Sequence, residues 1–300
     1  MGVRKRTKAW IVVFVILCIL FWFITKSNPP TSPPNSNGPT RGGSLSLDSL
    51  ASYIVLVDLK RDNLIDTLCV ALRGLSTVKY PIVVLHEKYD HLSESMRNQM
   101  LECRRDLVFY QVILPMNDTV IVPETCKYNN YGYRSMCRFF AYDVYRLPIF
   151  KNVKYLVRFD HDSVFPAPRD SVGFDPIVFM ESHSFDYGFR VIGRDPVECA
   201  LGMLELTEAY AVMHQMKVDW REIRLPSLVY NNFFVARKDI FLTVEYERYF
   251  KFIDGTNGIW THRWGDHVLH TSAMALFHWK TYHFTEFAYE HGTKRRVGEK

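Results

Sequence analysis

The chain has 300 residues, 48% of them hydrophobic and 15% aromatic, with a formal net charge of +5. So apolar a composition excludes a disordered chain, and once an N-terminal anchor is set aside it leaves one core of roughly 240 to 250 residues. The charge excludes a basic nucleic-acid-binding face, because Arg4, Lys5, Arg6 and Lys8 supply four of the positive charges and the remainder is nearly neutral.

That basic flank leads into residues 9–25 (AWIVVFVILCILFWFIT), an uncharged run about long enough to span hydrocarbon. No small-residue cleavage pattern follows it, and Trp10, Phe21, Trp22 and Phe23 give it bulky ends, so it reads as an uncleaved signal anchor rather than a signal peptide. Residues 1–8 are then a cytoplasmic tail, and everything after Thr25 is luminal in a single-pass type II arrangement. Residues 26–48 are rich in Pro, Ser, Asn and Gly and read as an extended stem, since they bury too little surface to offset their ordering entropy. The folded domain is expected at 49–294, with a short tail at 295–300.

Of six cysteines, Cys18 lies in the apolar span. Cys69, Cys103, Cys126, Cys137 and Cys199 would face an oxidising lumen, where one or two disulfides and one leftover thiol are expected. None of their spacings resembles a zinc ribbon. Asn117-Asp118-Thr119 is a glycosylation sequon, in keeping with luminal exposure.

The domain opens with Tyr53–Val57, a continuous apolar run that reads as a buried parallel strand. Leu64, Ile65, Leu68, Ala71, Leu72 and Leu75 fall at helical spacing, and Tyr80–Leu85 is the next strand, giving a β-α-β unit. Further helices are expected at 93–103, 133–147, 197–216 and 266–277. Further strands are expected at 107–114, 153–159, 186–192 and 232–235. The alternation predicts an α/β fold, a mostly parallel sheet covered on both faces.

Asp160 and Asp162 follow the buried run Val153–Phe159, so both carboxylates leave a strand at the edge where such folds bind ligands. They suit a divalent cation held against a diphosphate, although two aspartates around one residue also fit a solvated turn. Trp264-Gly265-Asp266 reads as a turn into a helix that places Asp266 four residues before His270. His270 is either a packed residue or a distant third metal ligand, and an imidazole beside carboxylates favours Mn2+ over Mg2+. Arg134 and Arg138, amid tyrosines including Tyr133, either clamp phosphate or border an amphipathic helix that packs Met136, Phe139 and Phe140.

Taken together, Tyr133-Arg-Ser-Met-Cys-Arg-Phe139, Arg158-Phe-Asp-His-Asp162, Tyr187-Gly-Phe189, Asn232-Phe233, Tyr249-Phe250, Arg263-Trp-Gly-Asp266 with His270, and Tyr289-x-His291 resemble the fungal-type α-1,2-mannosyltransferases, the glycolipid 2-α-mannosyltransferase family. The resemblance implies a GT-A fold and a Golgi (or ER) membrane enzyme that moves mannose from GDP-mannose to a glycan acceptor on protein or lipid. It also implies that Asp160, Asp162 and His270 hold Mn2+, that Asp266 supports His270, and that Tyr133, Arg134, Arg138, Arg158 and Asp160 contact the donor. Two departures stand out. The family's Glu-Pro-Asp is Asp160-His161-Asp162, and Phe234 stands where the family has its proposed nucleophilic glutamate. A double displacement needs a carboxylate at the anomeric carbon, which phenylalanine does not supply. That leaves same-face attack, another carboxylate such as Asp186, Asp239 or Asp254, or a degenerate luminal protein that binds glycans or nucleotide-sugars.

Overall fold

The computed structural model describes residues 46–121, 131–166, 173–220 and 227–292. The expected anchor at 9–25, nearly all of the stem and the tail at 295–300 lie outside the described residues. Among the described residues, no helix is long and apolar enough to cross a membrane.

A seven-stranded sheet organises the domain, with strands β1 (Ala51–Val57), β2 (Ile82–Glu87), β3 (Leu107–Val112), β4 (Tyr155–Phe159), β6 (Tyr187–Arg194), β7 (Ser227–Arg237) and β8 (Thr281–His283), in the order β3-β2-β1-β4-β7-β6-β8. The first four pair in parallel, β7 runs antiparallel to both β4 and β6, and β8 is parallel to β6. The continuous apolar runs are explained by burial on both faces. Along β1, Ile54 packs into one core, while Tyr53, Val55 and Val57 pack into the other.

From β1 the chain winds outward through α1 (Leu64–Gly74) to β2 and through α2 (Glu94–Cys103) to β3. It then crosses by α3 (Tyr131–Ala141) to β4 on the other side of β1. The strand order therefore reverses between β1 and β4, and such a reversal opens a crevice at the carboxyl ends of the strands. Asp160 is the first residue beyond β4.

Two expected helices are shorter than their periodicity suggested. The helix expected at 133–147 ends at Ala141, whose carbonyl accepts a hydrogen bond from the Tyr246 hydroxyl at 2.6 Å, and 3-10 turns follow. The helix expected at 197–216 divides at Gly202, whose φ of +85° no continuous helix permits, leaving a short turn and α5 (Met203–Met213). The sequence reading passed over α4 (Pro176–His183) and α6 (Val244–Asp254). It did find the buried helix α7 (Asp266–Phe277) with its bounds.

Cys69 and Cys103 form a disulfide between α1 and α2, Cys199 is also disulfide-bonded, and Cys137 is a buried free thiol. This matches the expected one or two bridges with a thiol left over.

Candidate metal and donor site

The carboxyl end of β4 carries Asp160, His161 and Asp162 into β5 (Ser163–Val164), which pairs antiparallel with β9 (Glu290–His291), Ser163 facing His291. That small ribbon sets His291 Nε2 3.3 Å from an oxygen of Asp160 and 3.3 Å from one of Asp162. Ligand atoms of these three residues lie within 4.8 Å of one another, the spacing a single cation needs. Tyr289 fastens the returning chain by its hydroxyl, 3.0 Å from Ser163 Oγ and 3.0 Å from the Asn232 carbonyl oxygen.

Charge and burial compete here. Burial alone would raise the Asp162 carboxyl, but the His291 imidazole outweighs it and holds it down to about 2. Burial likewise works against the charged form of His291, yet the two aspartates raise that imidazole to about 9. The trio is thus a tight cluster in which one cation, a proton on His291 or a metal, satisfies two carboxylates. Hard oxygens with one imidazole fit Mn2+.

His270 stands elsewhere, which corrects its assignment as the third ligand. It is fully buried on α7, with Nδ1 2.8 Å from Asn231 Nδ2 and 3.1 Å from the Tyr187 hydroxyl. Because Asn231 Nδ2 donates to Asp266 Oδ2 at 3.0 Å and its Oδ1 accepts from Tyr187 at 2.9 Å, Nδ1 of His270 is the acceptor of that amide and the ring is neutral. Burial pushes its pKa down to about 4. Asp266 supports His270 through Asn231, as a member of a buried network.

Arg158 joins that network to the cluster. Its guanidinium donates to Asp160 Oδ1 at 3.1 Å through Nε and to Asp266 Oδ2 at 2.6 Å through Nη1, over the face of Phe140. Arg158 therefore orients Asp160 instead of lying open to a donor. Arg138 is also committed, with Nε and Nη2 on Asp254 at 2.9 to 3.2 Å and Nη1 on Asp143 at 2.8 Å. Arg134 is buried near the Ile259 carbonyl, and the Tyr133 ring lies under the Arg263 guanidinium. The structure does not bring Tyr133, Arg134 or Arg138 to the cluster.

The carboxylates considered as substitutes for the absent glutamate are also engaged. Arg237 binds both Asp186 and Asp239. Since Arg237 pairs with Tyr155, they sit at the opposite end of β4 from Asp160, about 17 Å along the strand. Asp254 is held by Arg138. Phe234 is fully buried and packs its ring against Tyr187 and His270. The sequon residue Asn117 donates from Nδ2 to Asn257 and accepts from the Thr119 hydroxyl.

His291 is the residue that sequence reasoning missed. Its signal was the Tyr289-x-His291 pair, noted for its resemblance and given no role. Nothing in local spacing ties residue 291 to residue 162; only the β5–β9 ribbon does.

The switch-point α/β sheet is GT-A-like, a fold it shares with two solved mannosyltransferases. Residues 123–297 match the glycolipid 2-alpha-mannosyltransferase family, and the chain belongs to that family. Core-mannan synthase A from Aspergillus fumigatus, solved in its Mn/GDP form, superposes with a TM-score of 0.69 at 20% identity, covering 88% of this chain and 82% of that one. The mannosyltransferase Ktr4p from S. cerevisiae, solved with GDP, gives 0.70 at 18% identity, covering 88% and 76%. By sequence, O-glycoside alpha-1,2-mannosyltransferase homolog 5 of Schizosaccharomyces pombe is 23% identical over 208 residues, 56% of this chain and 49% of that protein. The chain spans about half the length of the curated relatives it matches.

Proposed function

We propose that the protein is a mannosyltransferase that takes GDP-mannose as donor and delivers mannose, in α-1,2 linkage, to a glycan acceptor. The observation that carries this is the Asp160, Asp162 and His291 cluster at the carboxyl edge of β4. Its support is the family match and the two structural neighbours of the same fold that carry GDP, one with Mn.

Asp160, Asp162 and His291 are the residues that would hold Mn2+, which when bound offsets the charge that builds on a departing nucleoside diphosphate. Arg158 keeps the Asp160 carboxylate turned toward that position. Tyr289 anchors the strand that carries His291. Phe234 supplies no nucleophile, and Asp186, Asp239 and Asp254 are tied elsewhere, so retention of configuration proceeds by attack of the acceptor hydroxyl from the face the diphosphate leaves. The apolar run at 9–25 supports anchoring in the Golgi or ER membrane, with this domain in the lumen.

The test is Mn2+-dependent turnover of GDP-mannose by the purified protein, lost in Asp162→Ala and in His291→Ala. A buried Phe234 also favours a second reading, a degenerate luminal protein that binds glycans or nucleotide-sugars. GDP-mannose binding with no turnover on any mannoside acceptor would select its nucleotide-sugar form, and no binding of GDP with Mn2+ would sink the transferase reading.

A further inference from the structure

The edge that carries the metal cluster also holds a buried amide with no use in the fold. Asn232 is 5% exposed, and among the described residues neither its Oδ1 nor its Nδ2 has a hydrogen-bond partner. Its neighbour Asn231 is fully engaged, with Asp266, His270 and Tyr187. A buried carboxamide left unpaired costs stability that an apolar side chain of the same shape would avoid, so an orphaned one calls for an outside partner.

Its placement says which partner. The β4–β7 ladder pairs Arg158 with Phe234 and Phe159 with Phe233. The Asp160 N–H donates to the Asn232 carbonyl at 3.1 Å and carries the ladder one step further, setting Asp160 opposite Asn232. Residues opposite each other in an antiparallel pair project from the same face, with Cβ atoms roughly 4.5–5.5 Å apart. Asn232 therefore stands level with Asp160, on the β7 side of the cluster, where the β6–β7 ladder shifts register. The parallel strands lie on the other side, and their carboxyl ends are where such sheets seat a nucleotide. His161, whose Nε2 is likewise buried without a hydrogen-bond partner among the described residues, has Arg61, four residues past β1, among its charged neighbours. With the diphosphate at the cluster and the nucleoside over the parallel strands, the sugar extends toward β7. A pyranose hydroxyl both donates and accepts, as do the two ends of a carboxamide.

We propose that Asn232 binds the transferred sugar, its carboxamide holding hydroxyls of the pyranose and so selecting among epimeric donors. This rests on the nucleotide-sugar reading above. The experiment is calorimetric titration of the full chain with GDP, GDP-mannose and GDP-glucose in the presence of Mn2+, for wild type, Asn232→Leu and Asn232→Ser. GDP affinity should stay within about twofold, while GDP-mannose affinity falls roughly ten- to hundredfold and its preference over the glucose epimer collapses. Unchanged sugar discrimination in either folded variant, with GDP still bound, overturns the inference and leaves the donor reading standing. Loss of GDP binding along with GDP-mannose binding in both variants makes Asn232 structural and also overturns it. No GDP binding by the wild type overturns the donor reading itself.

Discussion

Arg158 and Asp266 meet at 2.6 Å with their side chains 3% and 4% exposed, a fully buried ion pair that bridges β4 and α7. The same guanidinium holds Asp160, so the pair links the interior of the domain to its ligand edge. Removing one partner of such a pair strands the other charge in a medium that solvates it poorly. Arg158→Met is therefore expected to cost about 3–5 kcal/mol in urea unfolding, and Arg158→Met with Asp266→Leu to cost clearly less than the two single changes summed.

His291, not His270, completes the carboxylate cluster. His291→Ala and Asp162→Ala should each weaken Mn2+-dependent GDP binding by roughly tenfold to a hundredfold or more, since outer-shell partners of metal sites alone produce losses of that size. His270→Gln should leave it near wild type. Titration of GDP with and without Mn2+ distinguishes the two histidines, and a large loss in His270→Gln alone would reverse the assignment.

The buried neutral His270 carries a pH signature. Its folded pKa of about 4 lies below the usual value of about 6.5, so the unfolded chain binds the proton that the folded one refuses. The stabilisation is complete above pH 6.5 and is lost as pH falls from 6.5 to 4. Over that window it amounts to about 3 kcal/mol. The stability difference between wild type and His270→Gln, followed by urea denaturation from pH 7 to 4, should shrink with acid.

Phe234 fills space that a glutamate would have to share with Tyr187 and His270. Phe234→Ala should cost about 3–5 kcal/mol through lost burial and the cavity left behind. Phe234→Glu should lower the melting temperature and leave donor turnover no higher than wild type. A gain in turnover would show that position 234 still reaches the reacting carbon.

The Cys69–Cys103 bridge closes a loop with a sequence separation of 34 between α1 and α2. Cys69→Ser with Cys103→Ser should cost about 2–4 kcal/mol, read by urea unfolding.

Much of the fold was legible because its signals are local. The apolar runs that became β1, β2 and β4 are buried on both faces, and the spacing of Leu64, Leu68, Ala71 and Leu72 is that of one buried helix face. The missed helices had weaker local marks. In α4 the apolar residues do not gather on one face, and its Asp175 cap and Pro176 start were the only punctuation. The overlong helices failed where a single non-local or conformational fact intervened, the Tyr246 hydroxyl at Ala141 and the positive φ at Gly202.

The sequence by itself determined the α/β alternation, the two carboxylates leaving a strand at Asp160 and Asp162, the departure at Phe234 and the family resemblance, since each is written in contiguous residues. Only the tertiary structure decided which imidazole stands beside those carboxylates, that Arg138 belongs to Asp254 and Arg158 to Asp266, and that the Asn232 carboxamide has no partner among the described residues. Those facts depend on strand register and on segments more than a hundred residues apart meeting at one edge, which local pattern does not encode.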